Sequence, residues 1–403
     1  MVEAGNQKKF KYLVIFYTAI IGLHQMADYL YGVSYMVTLN TRLSIEYIAI
    51  LIGIKEVGFL VFDFPSGVIS DFFGRKKTAG VSLIIYGLAL ILLGLSTSFI
   101  LLISIFLLMS FAESMFSGSP GAWFYDVLVK ENRIKDREKI IPYISGVAEL
   151  MSFVSSAVAI VLMYYNATYP LMVGGVIGIL AGILCLLFFE DNKGNSENKN
   201  FFVVLRDFSK DFIHDKNIRG ILAFSVFDYA AFSVFIFTWQ LYLLNRFNIR
   251  ETDISILFVC FTICMAIGSF ITSFLLKHLK GIVVSIIGQI GIVLSFLAIA
   301  FTDSLYVVIA SCFLFEICLA ISSTSVGIWR NDFISSENRA SFYSGISSVD
   351  SLLSIAITPC LGMVIKYLGY SRVWILATLI QVVSLMFIIR FKMRHRVQND
   401  VRE

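Results

Sequence analysis

Residues 123–133 read WFYDVLVKENR, and residues 329–339 read WRNDFISSENR. Both segments fit the pattern W-x-x-D-x4-E-N-R, at a separation of 206 residues. Further matches at offsets of 200 to 206 are Asp28-Tyr29 with Asp228-Tyr229, Arg42-Leu-Ser-Ile45 with Arg246-Phe-Asn-Ile249, and Ile48-Ala-Ile-Leu51 with Ile254-Ser-Ile-Leu257. A repeat of this length predicts that the chain consists of two copies of one structural unit.

The composition is typical of a protein that spans a lipid bilayer. Of the 403 residues, 58% are hydrophobic and only 15% are charged, whereas a soluble domain has about 25% charged residues. A soluble globule of this size could not cover so much apolar surface, because its exterior must face water. The net charge of +4 fits basic loops at a membrane surface rather than nucleic-acid binding. The six Cys lie in apolar runs without His, so neither a disulfide framework nor a metal site is indicated.

Twelve apolar segments are long enough to cross a bilayer, which takes roughly 20 helical residues. They lie near 12–37, 46–70, 78–97, 99–127, 141–164, 169–189, 218–244, 253–276, 282–301, 304–329, 340–365 and 372–391. Lys and Arg are concentrated in alternate loops, and the intervening loops contain only Arg42, Arg246, Arg250, Lys366 and Arg372. Because basic loops stay on the cytoplasmic side, this pattern predicts that both termini are cytoplasmic.

A long polar segment separates the two copies. We predict an N-terminal six-helix half over residues 1–190, a cytoplasmic central loop over 191–217 and a C-terminal six-helix half over 218–403. Six spans is an even number, so the two halves have the same orientation in the membrane. Parallel repeats of this kind predict a solute site at the interface of the halves.

These features resemble the major facilitator superfamily. The loop after the second span reads Gly67-Val-Ile-Ser-Asp71-Phe-Phe-Gly74-Arg75-Lys76-Lys77, close to the family pattern G-x-x-x-D-R-x-G-R-[RK], with Phe72 in place of the first Arg. The resemblance implies an all-α fold of twelve transmembrane helices, in which spans 1, 4, 7 and 10 line a central cavity. It also implies gating roles at the cytoplasmic surface for Gly67, Asp71, Gly74, Arg75, Asp126, Arg133, Asp332 and Arg339.

The acidic residues of these gating motifs are expected to form ion pairs. Asp126 and Arg133, like Asp332 and Arg339, are similar to the family's acidic-x6-Arg motif after spans 4 and 10. We therefore expect each Asp to pair with the Arg of its own motif. Gly74 is expected to permit the tight turn between spans 2 and 3, because glycine adopts backbone angles that other residues avoid.

Ionisable side chains inside the apolar spans mark the candidate transport site, because each costs on the order of 3 kcal/mol in lipid. Asp28 and Asp228 are mid-span and related by the repeat, so we predict that they bind a proton near neutral pH or attract a cationic solute. His24 shares a helix face with Asp28 and is a candidate proton relay. Glu113 and Glu316 are the acids of spans 4 and 10. The alternative for each carboxylate is a hydrogen bond to a neighbouring helix that only stabilises the fold.

Aromatic and amide side chains in spans 1 and 7 are candidates for a solute pocket. They are Tyr29, Tyr31, Trp239 and Gln240. The alternative for the aromatic residues is a role as anchors at the membrane interface, where Tyr and Trp are enriched.

These observations predict a secondary active transporter that moves a small solute by alternating access. We expect coupling to the proton gradient without a cofactor, and export of amphipathic or cationic compounds, by a monomer in the bacterial cytoplasmic membrane. Uptake or exchange of a metabolite is the alternative within this class, and a non-transporting receptor or scaffold is the alternative outside it. The sequence contains no G-x-x-x-x-G-K-[ST], H-E-x-x-H or G-x-S-x-G motif, so the common signatures of ATP hydrolysis, metalloproteases and serine hydrolases are missing.

Overall fold

The structure is a computed structural model, which describes residues 2–189, 216–331 and 339–400. Every regular element in these ranges is helical. Twelve long helices occupy these ranges: α1 (Val2–Asn40), α2 (Ile45–Phe73), α3 (Arg75–Leu95), α4 (Phe99–Lys130), α5 (Arg137–Tyr165), α6 (Tyr169–Phe188), α7 (Lys216–Phe247), α8 (Glu251–Leu275), α9 (Gly281–Phe301), α10 (Leu305–Asn331), α11 (Arg339–Leu368) and α12 (Tyr370–Asp400). They confirm the predicted all-α architecture of twelve spans.

Eleven of the twelve helices in the described ranges are long and apolar enough to cross a membrane. The helix outside this set is α2, which carries Glu46, Lys55, Glu56 and Asp63. In lipid, a helix satisfies its own backbone N–H and C=O groups. It provides no partner for charged side chains, which are costly there. The polar residues of α2 therefore need partners on other helices.

The two halves repeat the same helix packing. In the first half α1 packs on α5 and α6, and α3 packs on α4 and α6. In the second half α7 packs on α11 and α12, and α9 packs on α10 and α12. Each of these contacts recurs when six is added to both helix numbers, so the sequence repeat corresponds to a structural repeat.

Contacts between Cα atoms divide the chain into two units. Unit 1 comprises the described residues of Met1–Ser44, Ile54–Asn198 and Arg250–Val259, and unit 2 comprises those of Ile45–Gly53, Lys199–Ile249 and Cys260–Glu403. This grouping exchanges two short segments between the halves predicted from chain order. Unit 2 gains the start of α2, where Glu46 forms an ion pair with Lys366 of α11. Unit 1 gains the start of α8, where Ser255 contacts Met163 of α5.

An arginine at the end of the first helix of each repeat binds to the C-terminal end of the third helix of that repeat. The Arg42 guanidinium donates to three carbonyl oxygens between residues 93 and 96, at 2.5–2.9 Å. These carbonyls belong to the C-terminal end of α3, where a cation is favoured by the helix dipole. Its repeat counterpart Arg246 pairs with Asp303, just beyond the end of α9, at 2.9 Å. Both arginines therefore link the first helix of their repeat to the third, Arg42 through backbone carbonyls and Arg246 through a carboxylate.

Glycine allows the closest helix contact of unit 1, that between α3 and α6. A Cβ atom added to Gly87 would lie 2.4 Å from the carbonyl oxygen of Gly175, and one added to Gly182 would lie 2.5 Å from that of Gly80. Backbones approach this closely only where side chains are missing, as is common between helices in lipid.

We expect Gly87→Ala to destabilise the protein, because the new methyl group would force α3 away from α6. Overpacking of this kind costs about 1–3 kcal/mol. The matched control is Gly146→Ala in α5, where an added Cβ meets no atom within 4 Å. Thermal unfolding of the purified protein in detergent should show a lower Tm for Gly87→Ala and no loss for Gly146→Ala. Equal Tm values for both variants would contradict the close contact.

Candidate functional site

The polar centre of unit 1 is an ion pair between α2 and α4. Lys55 Nζ lies 2.8 Å from Glu113 Oε1, and both side chains are largely buried. The Lys55 ammonium also lies 5.2 Å from the centre of the Tyr31 ring, which stacks on Tyr35 at 4.4 Å. The face of an aromatic ring attracts a cation. Lys55, a cation within α2, thus has Glu113 and Tyr31 as its partners.

Asp28 is held by a neutral donor from α3. Tyr86 Oη donates to Asp28 Oδ1 at 2.9 Å. His24 packs on Phe116 with ring centres 4.1 Å apart and meets the edge of Tyr86 at 5.8 Å. Its Nδ1 atom is buried and has no hydrogen-bond partner among the described residues. His24 therefore lies beside Asp28, as its spacing predicts, and the relay role stays a prediction.

Asp228 of unit 2 is held by two amide side chains. Gln289 Nε2 of α9 donates to Asp228 Oδ1 at 2.7 Å, and Gln381 Nε2 of α12 donates to the same oxygen at 3.2 Å. Gln381 also donates to Gln289 Oε1, and Gln289 donates to Ser322 Oγ of α10 at 2.8 Å. Four helices are thus joined around one carboxylate.

A cavity of about 340 Å³ opens beside this network within unit 2. Its lining includes two carboxylates, Asp228 and Asp350, and one guanidinium, that of Arg330. The Asp350 Oδ1 atom is buried and has no hydrogen-bond partner among the described residues. Aromatic and apolar lining is provided by Tyr229, Phe232, Met265, Ile292, Phe315 and Leu319. With both carboxylates ionised, the three charged groups carry a net charge of −1.

Arg330 lies at the side of this cavity and is anchored to α7. Its Nη2 atom donates to Ser225 Oγ at 2.7 Å, and its guanidinium lies 5.6 Å from the centre of the Phe224 ring. The corresponding residue of the first repeat is Phe124, so the cation is specific to unit 2.

Glu316 of α10 is buried, with 7% of its surface exposed. Among the described residues it forms no ion pair or hydrogen bond, and its ionisable neighbours are the thiols of Cys264 and Cys312. It is not part of the cavity lining.

The remaining predicted pocket residues do not line the cavity of unit 2. Trp239 is buried against the rings of Phe235 and Phe261 at 6.4 Å and 4.8 Å. Gln240 is buried with 3% of its surface exposed, and Tyr29 is half-buried on α1. Trp239 thus packs in the aromatic core of unit 2, and the roles of Trp239, Gln240 and Tyr29 in a solute pocket stay predictions.

The structure describes the side chains of only some residues in the cytoplasmic motifs. Gly74 separates α2 from α3 with φ of +98°, which confirms the predicted turn, because side chains disfavour this conformation. Arg75 pairs with Asp126, and Arg133 pairs with Asp136 at 3.3 Å. The expected pair of Asp126 with Arg133 is therefore wrong. Asp332 lies outside the described residues, as do the side chains of Asp71 and Arg339 and the surroundings of Gly67. The gating roles of these four residues stay predictions.

Sequence reasoning missed the neutral donors and the cavity cation. Tyr86, Gln289, Gln381 and Arg330 were not among the candidates. A signal was present, because Gln289 and Gln381 are amides within almost purely apolar spans. Tyr86 of α3 and Gln289 of α9 lie on the third helix of their repeats, so the same helix of each repeat provides a donor to the acid of the first helix.

Family comparison identifies the fold. The Major Facilitator Superfamily model matches residues 17–240 and 221–402. The chain belongs to the major facilitator superfamily. As a member of this family it is a transporter and not an enzyme, and it lies in the membrane with several spans. Its sequence matches no curated protein at a significant level.

Solved structures of transporters share the fold at low sequence identity. The nucleoside transporter NupG superposes with a TM-score of 0.76 at 14% identity, over 93% of this chain and 98% of that chain. A bacterial homologue of the human lysosomal transporter Spinster, inward-facing and occupied, has a TM-score of 0.75 at 15% identity, over 95% and 97%. A bacterial homologue of the iron transporter ferroportin has a TM-score of 0.73 at 13% identity, over 96% and 98%.

Removing the cation of the unit 1 ion pair should destabilise the protein. Lys55→Met would leave Glu113 buried without its partner, and breaking one side of a buried pair costs about 3–5 kcal/mol. The double variant Lys55→Met with Glu113→Gln should regain most of the lost stability, because no charge is left uncompensated. Thermal unfolding in detergent measures both effects. A double variant as unstable as Lys55→Met alone would show that the pair is not the cause.

Proposed function

We propose that the protein is a proton-coupled transporter that exports amphipathic cations across the bacterial cytoplasmic membrane as a monomer. The observation that carries the proposal is the cavity of unit 2, where Asp228 and Asp350 outnumber the cation Arg330. A solute with a positive charge would compensate the excess carboxylate in a low-dielectric site. The apolar and aromatic remainder of the lining suits the hydrophobic part of such a solute.

The arrangement of the two carboxylates supports a solute-binding role. Asp228 is fixed by Gln289 and Gln381, so its position does not depend on the solute. Asp350 has a buried oxygen without a donor among the described residues, and an ammonium group of the solute can supply one. Leaving such an acceptor unsatisfied costs free energy, so the cavity favours a ligand that donates hydrogen bonds.

The acids in both units support proton coupling. Asp28, Glu113, Asp228 and Glu316 lie within helices that span the membrane. Intramembrane carboxyl groups are expensive and commonly belong to proton pathways. The energy source of the transporter is then the proton gradient, and no cofactor is needed.

A second candidate is uptake or exchange of a neutral metabolite rich in hydroxyl groups. The amide network of Gln289 and Gln381 favours it, because amides donate to and accept from hydroxyl groups. The solved neighbours include a nucleoside transporter. The two candidates predict different solutes in one cavity, so a single panel of solutes separates them.

Everted membrane vesicles with an acidic interior and a pH-sensitive dye test the proposal. We expect amphipathic cations to collapse the gradient, while neutral metabolites do not, because export in exchange for protons removes protons from the interior. Vesicles from cells without the protein provide the background. Collapse by hydroxyl-rich metabolites alone would favour the second candidate. Labelled cations that move without any change of pH would contradict proton coupling.

Asp228→Asn should weaken binding of the cation and raise KM by roughly tenfold or more, since about 1.4 kcal/mol corresponds to each factor of ten. The amide keeps the size of the side chain but removes its charge. Asp253→Asn is the control, because Asp253 pairs with Arg250 in the same turn at the start of α8 and does not line the cavity. Transport assays over a range of solute concentrations give KM for each variant. An unchanged KM in Asp228→Asn would remove this residue from the solute site.

Asp28→Asn should lower coupled transport while the protein remains folded, because Tyr86 can still donate to the amide oxygen. The ratio of protons moved to solute moved is the measurement, with Tm as the check on folding. Full coupled activity in Asp28→Asn would leave this carboxylate with a structural role only.

A further inference from the structure

The two units differ in the compensation of the buried acid on the fourth helix of each repeat, Glu113 of α4 and Glu316 of α10. The first residues of α4 and α10, and the Trp residues of their motifs, are 206 residues apart, which relates Glu316 to Ser110 and places the two acids one helical turn apart within the repeat. Glu113 is 2.8 Å from the ammonium of Lys55. Glu316 has no cation and no hydrogen-bond donor among the described residues, although only 7% of its surface is exposed. The buried acid of the fourth helix is therefore compensated in unit 1 and uncompensated in unit 2.

The position that holds the ammonium in unit 1 is apolar in unit 2. Residues 48–51 match residues 254–257 at an offset of 206, which relates Lys55 of α2 to Phe261 of α8. Phe261 is buried, with 6% of its surface exposed, and its ring centre lies 5.9 Å from that of Phe313. Phe313 is one helical turn from Glu316 on α10. A phenyl ring thus stands where unit 1 has its ammonium.

The surroundings of Glu316 contain no charged side chain that compensates it, as far as the described residues extend. The ionisable groups near it are the thiols of Cys264 on α8 and Cys312 on α10. Within the same ranges, α7 and α9 contribute no charged group that interacts with Glu316. A carboxylate without a partner is costly in such a place, whereas the protonated acid is tolerated. Glu316 can therefore hold a proton. Asp350 also has an oxygen without a hydrogen-bond partner among the described residues, but it shares its cavity with the cation Arg330.

Glu316 lies next to the solute cavity but on another face of its helix. Phe315, Leu319 and Ser323 line the cavity, and they follow one another at intervals of four residues. Glu316 is rotated by about 100° from Phe315, towards the thiols of α8 and α10. Met265 of α8 lines the cavity, so α8 and α10 are both in contact with the cavity and with the surroundings of Glu316.

We propose that Glu316 is a group that takes up and releases a coupling proton, while Asp228 and Asp350 hold the solute. The proposal rests on the proton coupling proposed above and adds Glu316 to Asp28 as a group that takes part in it. The carboxylate of Glu316 gains one proton on one side of the membrane and loses it on the other, and no other bond changes. A shift of α8 against α10 on solute binding would change the groups that surround Glu316 and so change its affinity for a proton. This follows because both helices contact the solute cavity and the surroundings of Glu316.

The test uses Glu316→Gln in the full-length protein, in reconstituted vesicles. Glutamine has the shape of the protonated acid but cannot release a proton. We expect solute-triggered proton movement to fall at least roughly tenfold, while solute binding and exchange of labelled for unlabelled solute stay within about twofold of the unaltered protein. The Tm should be unchanged, because the neutral side chain replaces a neutral one. Cys264→Ala is the matched control and should remain coupled.

A second variant restores the cation that unit 2 lacks at this position. Phe261→Lys would place an ammonium beside Phe313, one helical turn from Glu316, within reach of the carboxylate, and hold it in its ionised form. We expect this variant to lose proton movement as well, although its side chain at residue 316 is unaltered. The infrared band of a protonated carboxylic acid should be present in the unaltered protein and in Asp228→Asn, and lost in Glu316→Gln and Phe261→Lys.

The outcomes separate this inference from the proposed function. Solute exchange without proton movement in the unaltered protein would overturn proton coupling itself and the role of Glu316 with it. Proton movement that is equal in the unaltered protein and in Glu316→Gln would overturn only the assignment to Glu316. Loss of solute binding in a folded Glu316→Gln would place the residue in the solute site and also overturn the assignment. If Glu316→Gln does not fold, the infrared band and proton movement of Phe261→Lys decide the question.

Discussion

The cost of a charge in lipid is the constraint on which the polar structure of this protein depends. A carboxylate or ammonium within a span must face a cavity or find a partner, because neither lipid nor the helix backbone can compensate it. Lys55 and Glu113 compensate one another. Asp28 and Asp228 are compensated by neutral donors from α3, α9 and α12. The helix packing of each unit therefore has to bring these particular positions together, and the glycine contact of α3 with α6 sets how closely the helices of unit 1 approach.

Neutral donors give the two units different chemistry at related positions. Tyr86 gives Asp28 one hydroxyl, which can donate and also accept. Gln289 and Gln381 give Asp228 two N–H donors and are themselves joined by a hydrogen bond. A carboxylate fixed by two amides keeps one orientation, which suits recognition of a solute. Burial with no partner, as at Glu316 among the described residues, suits a change of protonation. One fold thus provides separate places for binding and for proton exchange.

The fold was accessible from the sequence because it depends on long, regular signals. Apolar runs of about 20 residues indicate spans, and the repeat of residues 123–133 at 329–339 indicates two copies. The site was accessible only in part. Asp28, Asp228, Glu113 and Glu316 stand out because charge is rare in apolar spans. Their partners do not, since Tyr86 and Gln289 are ordinary neutral residues whose role appears only when α3 and α9 pack. The pair of Arg75 with Asp126 replaces the expected local pair for the same reason, because contacts across helices are invisible to spacing along the chain.

Duplication explains why the difference at Glu316 is informative. Two copies of one unit begin with the same set of interactions, so a contact that both copies retain reflects the common fold. An example is the contact of Arg42, and of Arg246, with the end of the third helix of its repeat. Glu316 is different, because it stands where the first repeat has Ser110, and a buried carboxyl without a cation would destabilise the protein in its ionised form. A residue that served only the packing of α10 could be replaced by an apolar side chain at no such cost. The buried carboxyl of Glu316 therefore has its simplest explanation in a function that requires both its protonated and its ionised form.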